Sequence, residues 1–240
     1  MIPLVEVPTS GPCMILVHGL GSDKSEVGHV FEKICNELKK LNISSLRFDL
    51  RGHGESDAKI EDRSFEKMVL DTIEIIDYAK DRYKKVGILG FSLGARVMIK
   101  ALKYRAKKIS FAITYSAAIE DGLGAFQKYI EGKSHDSDIS LDFSWRDDLI
   151  LPYTFFEEIA NDKPLDTLKE LHIPFLFVYA DDDEMIDPKA SIDAFMALDC
   201  IDKELYHTNG GHTLGFLESV SSMNNVTIKT FDFIKKHLNI

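Results

Sequence analysis

The chain has 240 residues, 45% of them hydrophobic and 28% charged, a balance typical of one globular domain with a sizeable core. Its 39 acidic and 29 basic residues leave a formal net charge of −10, which disfavours nucleic acid and anionic membranes as partners. No apolar run is long enough to cross a bilayer, and the N-terminus lacks a signal-peptide pattern. The three cysteines show no C-x-x-C spacing. We therefore expect a cytoplasmic protein with reduced thiols and no membrane insertion.

Short apolar runs alternate along the chain with longer stretches at helical spacing, a pattern typical of a parallel sheet with crossover helices. In chain order, strands are predicted near 14–17, 45–49, 86–89, 110–115, 175–179 and 203–207, and helices near 26–41, 64–82, 93–104, 188–198 and 226–237. The fold class is therefore α/β, a mostly parallel sheet with helices on both faces in a single domain of residues 1–240.

Residues 117–171, called the insertion below, interrupt this alternation. They hold a polar stretch at 131–142, the single tryptophan Trp145 and the pair Phe155 and Phe156. An irregular segment of this length is unusual in a compact domain, so we expect it to contain helices of its own. Since it connects two sheet strands, we predict that it forms a small lid above their carboxyl ends. The alternative is that it packs against the side of the sheet.

Ser92 is the candidate nucleophile. It lies in the run G-F-S-L-G, residues 90–94, between a predicted strand and a predicted helix. G-x-S-x-G at this position is typical of a strand-to-helix turn that projects a serine hydroxyl from the edge of a sheet. A serine hydroxyl barely ionises at neutral pH, so the chemistry also requires a base.

His212 is the candidate base. It lies on a glycine-rich loop, T-N-G-G-H-T at residues 208–213, after the last predicted strand. The strongest rival is His53, in the run R-G-H-G, but it precedes the serine in a connecting loop. The remaining histidines are assigned to the surface (His135, His172, His237), a helix (His29), a strand end (His207) and a loop-shaping hydrogen bond (His18).

The candidate acid lies in the run Y-A-D-D-D-E, residues 179–184, which follows a buried-looking strand. Asp183 is furthest along the turn and is preferred over Asp181 and Asp182, while Glu120 and Asp121 are less favoured positions. Such an acid holds the base in one tautomer. No histidine or spaced acidic ligand accompanies this cluster, so we expect no metal and no cofactor.

Two backbone amides are predicted to form an oxyanion hole. The amide of Leu93 directly follows the candidate nucleophile, and the amide of Leu20 lies in the loop H-G-L-G at residues 18–21. Removing one such donor typically lowers turnover by ~10²–10³.

With these residues assigned, nearly the whole chain resembles the α/β-hydrolase superfamily. It is most similar to the group of small carboxylesterases, monoacylglycerol lipases and serine-aminopeptidase-like enzymes, which includes the cinnamoyl and feruloyl esterases. The matching runs are H-G-L-G (18–21), F-D-L-R-G-H-G-E-S-D (48–57), G-F-S-L-G (90–94), A-D-D-D-E-M-I-D-P (180–188) and G-G-H-T-L (210–214). The resemblance implies an α/β-hydrolase fold, a triad of Ser92, Asp183 and His212, and an oxyanion hole of the Leu20 and Leu93 amides.

Two departures from the family pattern stand out. Ala180 occupies the position where the family usually has a glycine at the start of the acid loop. About a dozen residues precede the first predicted parallel strand, so the antiparallel strands that commonly open this fold are expected to be shortened or absent.

The sequence therefore predicts a serine hydrolase that cleaves small-molecule carboxylic esters through an acyl-enzyme. An acyl-thioesterase uses the same triad and is one alternative. A serine aminopeptidase is another, and it requires an acid in the insertion to bind the substrate amine; the candidates are Glu120, Glu131, Asp147, Asp148, Glu157 and Glu158. A non-catalytic small-molecule receptor on the same fold is the alternative from another class. The sequence leaves a homodimer open.

Overall fold

The computed structural model describes residues 1–143, 146–217 and 220–240, without the side chains of residues 147–148 and 220–224. Its strands are β1 (Leu4–Val7), β2 (Cys13–Val17), β3 (Ser44–Phe48), β4 (Val86–Phe91), β5 (Phe111–Tyr115), β6 (Asp138–Phe143), β7 (Arg146–Pro152), β8 (Phe175–Ala180) and β9 (Lys203–Thr208). Its α-helices are α1 (Val30–Lys40), α2 (Phe65–Arg82), α3 (Leu93–Arg105), α4 (Gln127–Ile130), α5 (Tyr153–Asn161), α6 (Pro164–Lys169), α7 (Lys189–Ala197) and α8 (Val220–Leu238).

The described residues form a seven-stranded sheet in the order β1-β3-β2-β4-β5-β8-β9. Its strands pair in parallel, except that β1 runs antiparallel to β3. The register aligns the carboxyl ends: Val17 pairs with Gly90, and Ala180 pairs with Thr208. The loops after β2, β4, β8 and β9 therefore leave the sheet at one edge, where ligands bind in open α/β sheets.

Helices cover both faces of the sheet, as the alternating pattern predicts. Side chains of α1 and α8 pack on one face, and those of α2, α3 and α7 pack on the other. The central strands β2, β4, β5 and β8 are buried along their whole length, which explains why they appear in the sequence as continuous apolar runs. The predicted α/β fold is confirmed.

Two predicted elements are corrected. The helix expected over 26–41 begins only at Val30, because Gly28 and His29 have φ angles of 67° and 57° that an α-helix does not accommodate. A four-residue strand, β1, that was not among the predicted strands precedes the first parallel strand, so the antiparallel opening of the fold is shortened, as one of the two expected outcomes, and not absent. It is half-buried at the sheet edge, so its short sequence carries a weak apolar signal.

The insertion contains the expected helices α4, α5 and α6, and also an antiparallel hairpin of β6 and β7 that was not expected. Burial alternates strictly along β6, so the polar stretch at 131–142 ends in a strand with one face inward rather than in a helix. Arg63 Nη1 donates to the Ile150 carbonyl at 2.8 Å and attaches the hairpin to the main domain. Trp145 lies outside the described residues. Within the described residues, no helix combines the length and the apolar character that a membrane crossing requires.

Candidate active site

Ser92 occupies the sharp turn between β4 and α3. Its φ and ψ are 50° and −117°, a strained conformation for a residue other than glycine. A Cβ on Gly90 would lie 2.5 Å from the Ala95 Cα, so the strand and helix close up only around glycine. A Cβ on Gly94 would instead lie 2.2 Å from the Val17 carbonyl oxygen of β2. The two glycines therefore permit the turn for different reasons: Gly90 avoids a clash within the turn, and Gly94 avoids a clash with the neighbouring strand β2.

His212 and Asp183 form a buried pair at the same edge of the sheet. The imidazole Nδ1 lies 2.9 Å and 3.1 Å from the two Asp183 carboxylate oxygens, and both side chains are less than a tenth exposed. Asp183 Oδ1 also accepts hydrogen bonds from the Met185 and Ile186 amides, each at 2.9 Å. Since an ionised carboxylate is an acceptor, Nδ1 carries the ring proton and Nε2 keeps its lone pair.

Ser92 and His212 line one cavity between the sheet edge and the insertion. The Phe91 and His212 rings pack nearly perpendicular to each other, at 88° with centroids 5.6 Å apart. The cavity volume is about 40 Å³, room for only a few water molecules. Its lining is mostly apolar and comprises Gly19, Leu20, Glu26, Val27, Phe91, Ser92, Ala125, Phe126, Lys128, Tyr129, Phe143, Met185, Ile186, His212 and Thr213.

The two predicted oxyanion-hole residues lie in different surroundings. Leu20 lines the cavity. Leu93 directly follows Ser92 as the first residue of α3 and is fully buried. The amides at the start of a helix have no intrahelical acceptor and suit a developing negative charge.

The three consecutive aspartates have different partners. Asp181 pairs with His207 at 2.7 Å, whereas Asp182 accepts from the Gly210 and Gly211 amides, each at 2.9 Å. Hydrogen bonds, first from Gly211 and also from Gly210, lower the pKa of the Asp182 carboxyl, while burial opposes them. Asp182 therefore holds the loop that carries His212, and Asp183 is the one of the three that contacts the imidazole.

The other histidines differ from His212 in burial and in hydrogen-bond or ring contacts. His18 is buried; its Nδ1 lies 2.8 Å from the Gly19 carbonyl and its Nε2 accepts from the Leu50 amide at 2.9 Å, the loop-shaping contacts expected of it. The rival His53 is buried beside it, with the two ring centroids 5.2 Å apart. His237, expected at the surface, is mostly buried against Phe233, with centroids 4.2 Å apart. That expectation was wrong because the end of α8 packs onto the sheet.

Glu26 is a site residue that sequence reasoning missed. Its side chain lines the cavity and the residue is 5% exposed. The sequence interpretation placed it at the start of an amphipathic helix, where an acid is common, so no local signal marked it.

The acids considered as anchors for a substrate amine lie elsewhere. Within the described part of the chain, neither Glu120 nor Glu131 lines the cavity. Glu157 pairs with His135, and Glu158 accepts from the Ser64 hydroxyl. The side chains of residues 147 and 148 lie outside the description. Among described residues, no group of three or more His, Cys, Asp or Glu is arranged to hold a metal ion.

Comparison with known proteins gives a family and a fold. The family model of the serine aminopeptidase S33 hydrolases matches residues 10–134, just over half of the chain. A monoacylglycerol lipase of Paleococcus ferrophilus superposes with a TM-score of 0.79 at 19% identity, covering 99% of each chain. Est1E of Butyrivibrio proteoclasticus, solved with ferulic acid bound, superposes with a TM-score of 0.81 at 21% identity, covering 100% of this chain and 96% of that one.

A third similarity is local. A 97-residue segment is 32% identical to protein phosphatase methylesterase 1 of Candida albicans. It spans 39% of this chain and 26% of that protein, so about a quarter of the curated relative is matched. The structural neighbours share the α/β-hydrolase fold with this chain.

Proposed function

This chain belongs to the serine aminopeptidase S33 family of α/β-hydrolases, and from that premise we propose that it hydrolyses carboxylic esters of small to medium acyl groups. The catalytic triad of the proposal is Ser92, Asp183 and His212. The observation that carries it is the buried His212–Asp183 pair at 2.9 Å, with the imidazole lining the same cavity as Ser92. The same proposal places the reaction in the cytoplasm, which suits three free cysteines.

In the first half-reaction, His212 Nε2 removes the proton of the Ser92 hydroxyl as its oxygen attacks the ester carbonyl. Asp183 keeps the proton on Nδ1 and stabilises the imidazolium that forms. The Leu20 and Leu93 amides donate to the oxyanion of the tetrahedral intermediate. The C–O bond to the alcohol then breaks, the alcohol leaves with the proton from His212, and the acyl group stays on Ser92.

In the second half-reaction, water replaces the alcohol. His212 removes a proton from the water molecule as its oxygen attacks the acyl carbonyl. The tetrahedral intermediate is held by the same two amides and collapses to release the carboxylic acid. Ser92 regains its proton from His212, so the cycle consumes one water and needs no cofactor.

The cavity favours an apolar acyl group. Its walls include Phe126 and Tyr129 from the insertion, Phe143 from the hairpin, and Met185 and Ile186 from the acid loop. A volume of about 40 Å³ admits only a short acyl chain unless the side chains from the insertion move. We therefore assign the insertion, residues 117–171, the role of a lid whose displacement enlarges the acyl site.

A fluorophosphonate probe tests the chemistry, since it reacts with an activated serine. Wild-type protein is expected to be labelled, and Ser92→Ala is expected to lose both the label and about 10⁴-fold or more of kcat/KM. Ser116→Ala is the matched control, because Ser116 is also buried, has a φ of 42° and follows the neighbouring strand β5. Equal labelling of wild type and Ser92→Ala would refute the proposal.

A substrate panel distinguishes the alternatives. Nitrophenyl esters of increasing chain length, a monoacylglycerol, a feruloyl ester and a carboxylic methyl ester cover the chemistry of the named relatives. Acyl-CoA and aminoacyl anilides represent the thioesterase and aminopeptidase alternatives. Turnover confined to aminoacyl anilides or acyl-CoA would replace the ester assignment, and thermal stabilisation by an ester without turnover would favour a receptor.

A further inference from the structure

Glu26 has a backbone conformation that its residue type rarely adopts. Its φ is 58° and its ψ is 159°, a combination populated almost entirely by glycine. Such strain persists where surrounding contacts enforce it, and it concentrates at functional sites. The contacts of the Glu26 side chain show what enforces it here.

Both carboxylate oxygens of Glu26 accept backbone hydrogen bonds. Oε2 accepts from the Gly19 amide at 2.7 Å, and Oε1 accepts from the Val27 amide at 2.8 Å. The first bond spans the loop between β2 and α1, because Gly19 lies near its start and Glu26 near its end. Since both oxygens are engaged by amides, this carboxylate differs from an acid that is free to bind a substrate amine or move a proton.

Gly19 lies between this carboxylate and the candidate nucleophile. A Cβ on Gly19 would lie 3.4 Å from the Ser92 Cβ and 3.6 Å from Glu26 Oε2. The Gly19 backbone is therefore packed close to both residues, and its position depends on the group that holds its amide.

The peptide unit after Gly19 carries the Leu20 N–H. Its carbonyl oxygen lies 2.8 Å from His18 Nδ1, which donates because Nε2 already accepts from the Leu50 amide. In a trans peptide the carbonyl and the N–H point in opposite directions, so His18 fixes the direction of the Leu20 N–H. Glu26 fixes the preceding peptide unit through the Gly19 amide, and the backbone is thus held on both sides of Gly19.

We propose that Glu26 is a positioning residue of the oxyanion hole, acting through Gly19 to hold the Leu20 N–H where the oxyanion forms. The proposal rests on the proposed ester hydrolysis. A donor held in advance costs no reorganisation as charge develops on the substrate. The effect therefore belongs to the transition state, and it changes kcat more than KM.

Steady-state kinetics of Glu26 variants on a nitrophenyl ester test the proposal. Glu26→Ala is expected to lower kcat about tenfold to a hundredfold with KM within about twofold. Glu26→Gln keeps one acceptor oxygen for the Gly19 amide and is expected to recover most of kcat. Glu26→Gly adopts the observed φ without strain, so it is expected to lose kcat while remaining folded.

Asp23→Ala is the matched control. Asp23 is an exposed acid in the same loop whose carboxylate accepts from the Ser25 amide at 2.6 Å. Its loss is expected to leave kcat within about twofold of wild type. Each rate is divided by the fraction of protein molecules that a fluorophosphonate probe labels at completion. The melting temperature of each variant is measured alongside.

The outcomes separate the two proposals. If wild type hydrolyses the ester and Glu26→Ala and Glu26→Gly keep kcat, or lose no more than Asp23→Ala, the positioning role is wrong and the ester hydrolysis stands. Equal losses in the Gln and Ala variants would also overturn it, because an acceptor for Gly19 would not be what matters. If wild type turns over no ester and takes no label at Ser92, the proposed function itself fails, and the Glu26 proposal fails with it.

Discussion

An Asp162→Asn substitution removes the counter-charge of a fully buried guanidinium. Arg96 lies one turn after Ser92 in α3, and its Nε donates to Asp162 Oδ2 at 2.9 Å. Its Nη2 donates to the carbonyls of Gly122 and Ile159 at 3.0 Å and 2.9 Å. The carbonyls remain in the variant, but the negative charge does not.

The expected cost follows from burial. The Arg96 and Asp162 side chains are 0% and 5% exposed, and burial lowers the pKa of Arg96 although Asp162 acts in the opposite direction. Breaking a buried pair by removing one partner typically costs about 3–5 kcal/mol. That is a large share of a total stability of about 5–15 kcal/mol, and for this chain length it lowers the melting temperature by about 6–20 °C.

Urea unfolding and thermal melts of three variants measure the effect. Asp77→Asn is the control, since Asp77 pairs with Arg105 and Lys108 at the surface, and its loss is expected to cost at most about 1 kcal/mol. The double variant Arg96→Met with Asp162→Leu removes both charges and is expected to recover most of the loss. If Asp162→Asn costs no more than Asp77→Asn, the reasoning from buried charge is refuted.

Three further predictions follow from the site. Asp182→Ala is expected to lower kcat/KM about tenfold because the loop carrying the proposed base loses its acceptor, whereas Asp181→Ala is expected to have little effect; equal losses would refute the distinction. Burial lowers the pKa of His18 and, more strongly, of His53, so both rings stay neutral in the fold while the unfolded chain protonates them near about pH 6.5. The free energy of unfolding is therefore expected to fall as the pH drops below that value, by up to about 1.4 kcal/mol per pH unit for each ring; urea titrations in which His53→Gln leaves this slope unchanged would contradict it. Phe143→Ala is expected to shift ester preference toward longer acyl chains because the ring borders the cavity, and an unchanged chain-length profile would argue against a lid in contact with the acyl group.

Most of the sheet was predictable because its central strands are buried on both faces. Continuous apolar runs such as 86–89 and 175–179 are typical of strands buried on both faces. The corresponding strands β4 and β8 therefore lie where they were expected. The hairpin was not predictable in the same way. Its strand β6 alternates exposed and buried residues. Because the preceding residues are also polar, this two-residue alternation was not recognised as a strand in the sequence.

The local sequence alone determined the turn at Ser92 and the glycine-rich loop of His212, because glycine spacing restricts the backbone within a few residues. It also determined the set of acids from which Asp183 was chosen. The sequence favoured Asp183 among these acids, and the tertiary structure shows its contact with the imidazole. Only the tertiary structure shows that His53 lies buried beside His18 and that Glu26 reaches Gly19. The first two contacts join different loops at one edge of the sheet, and the third closes the loop between β2 and α1. Their distances depend on strand register and loop strain that no short stretch of sequence encodes.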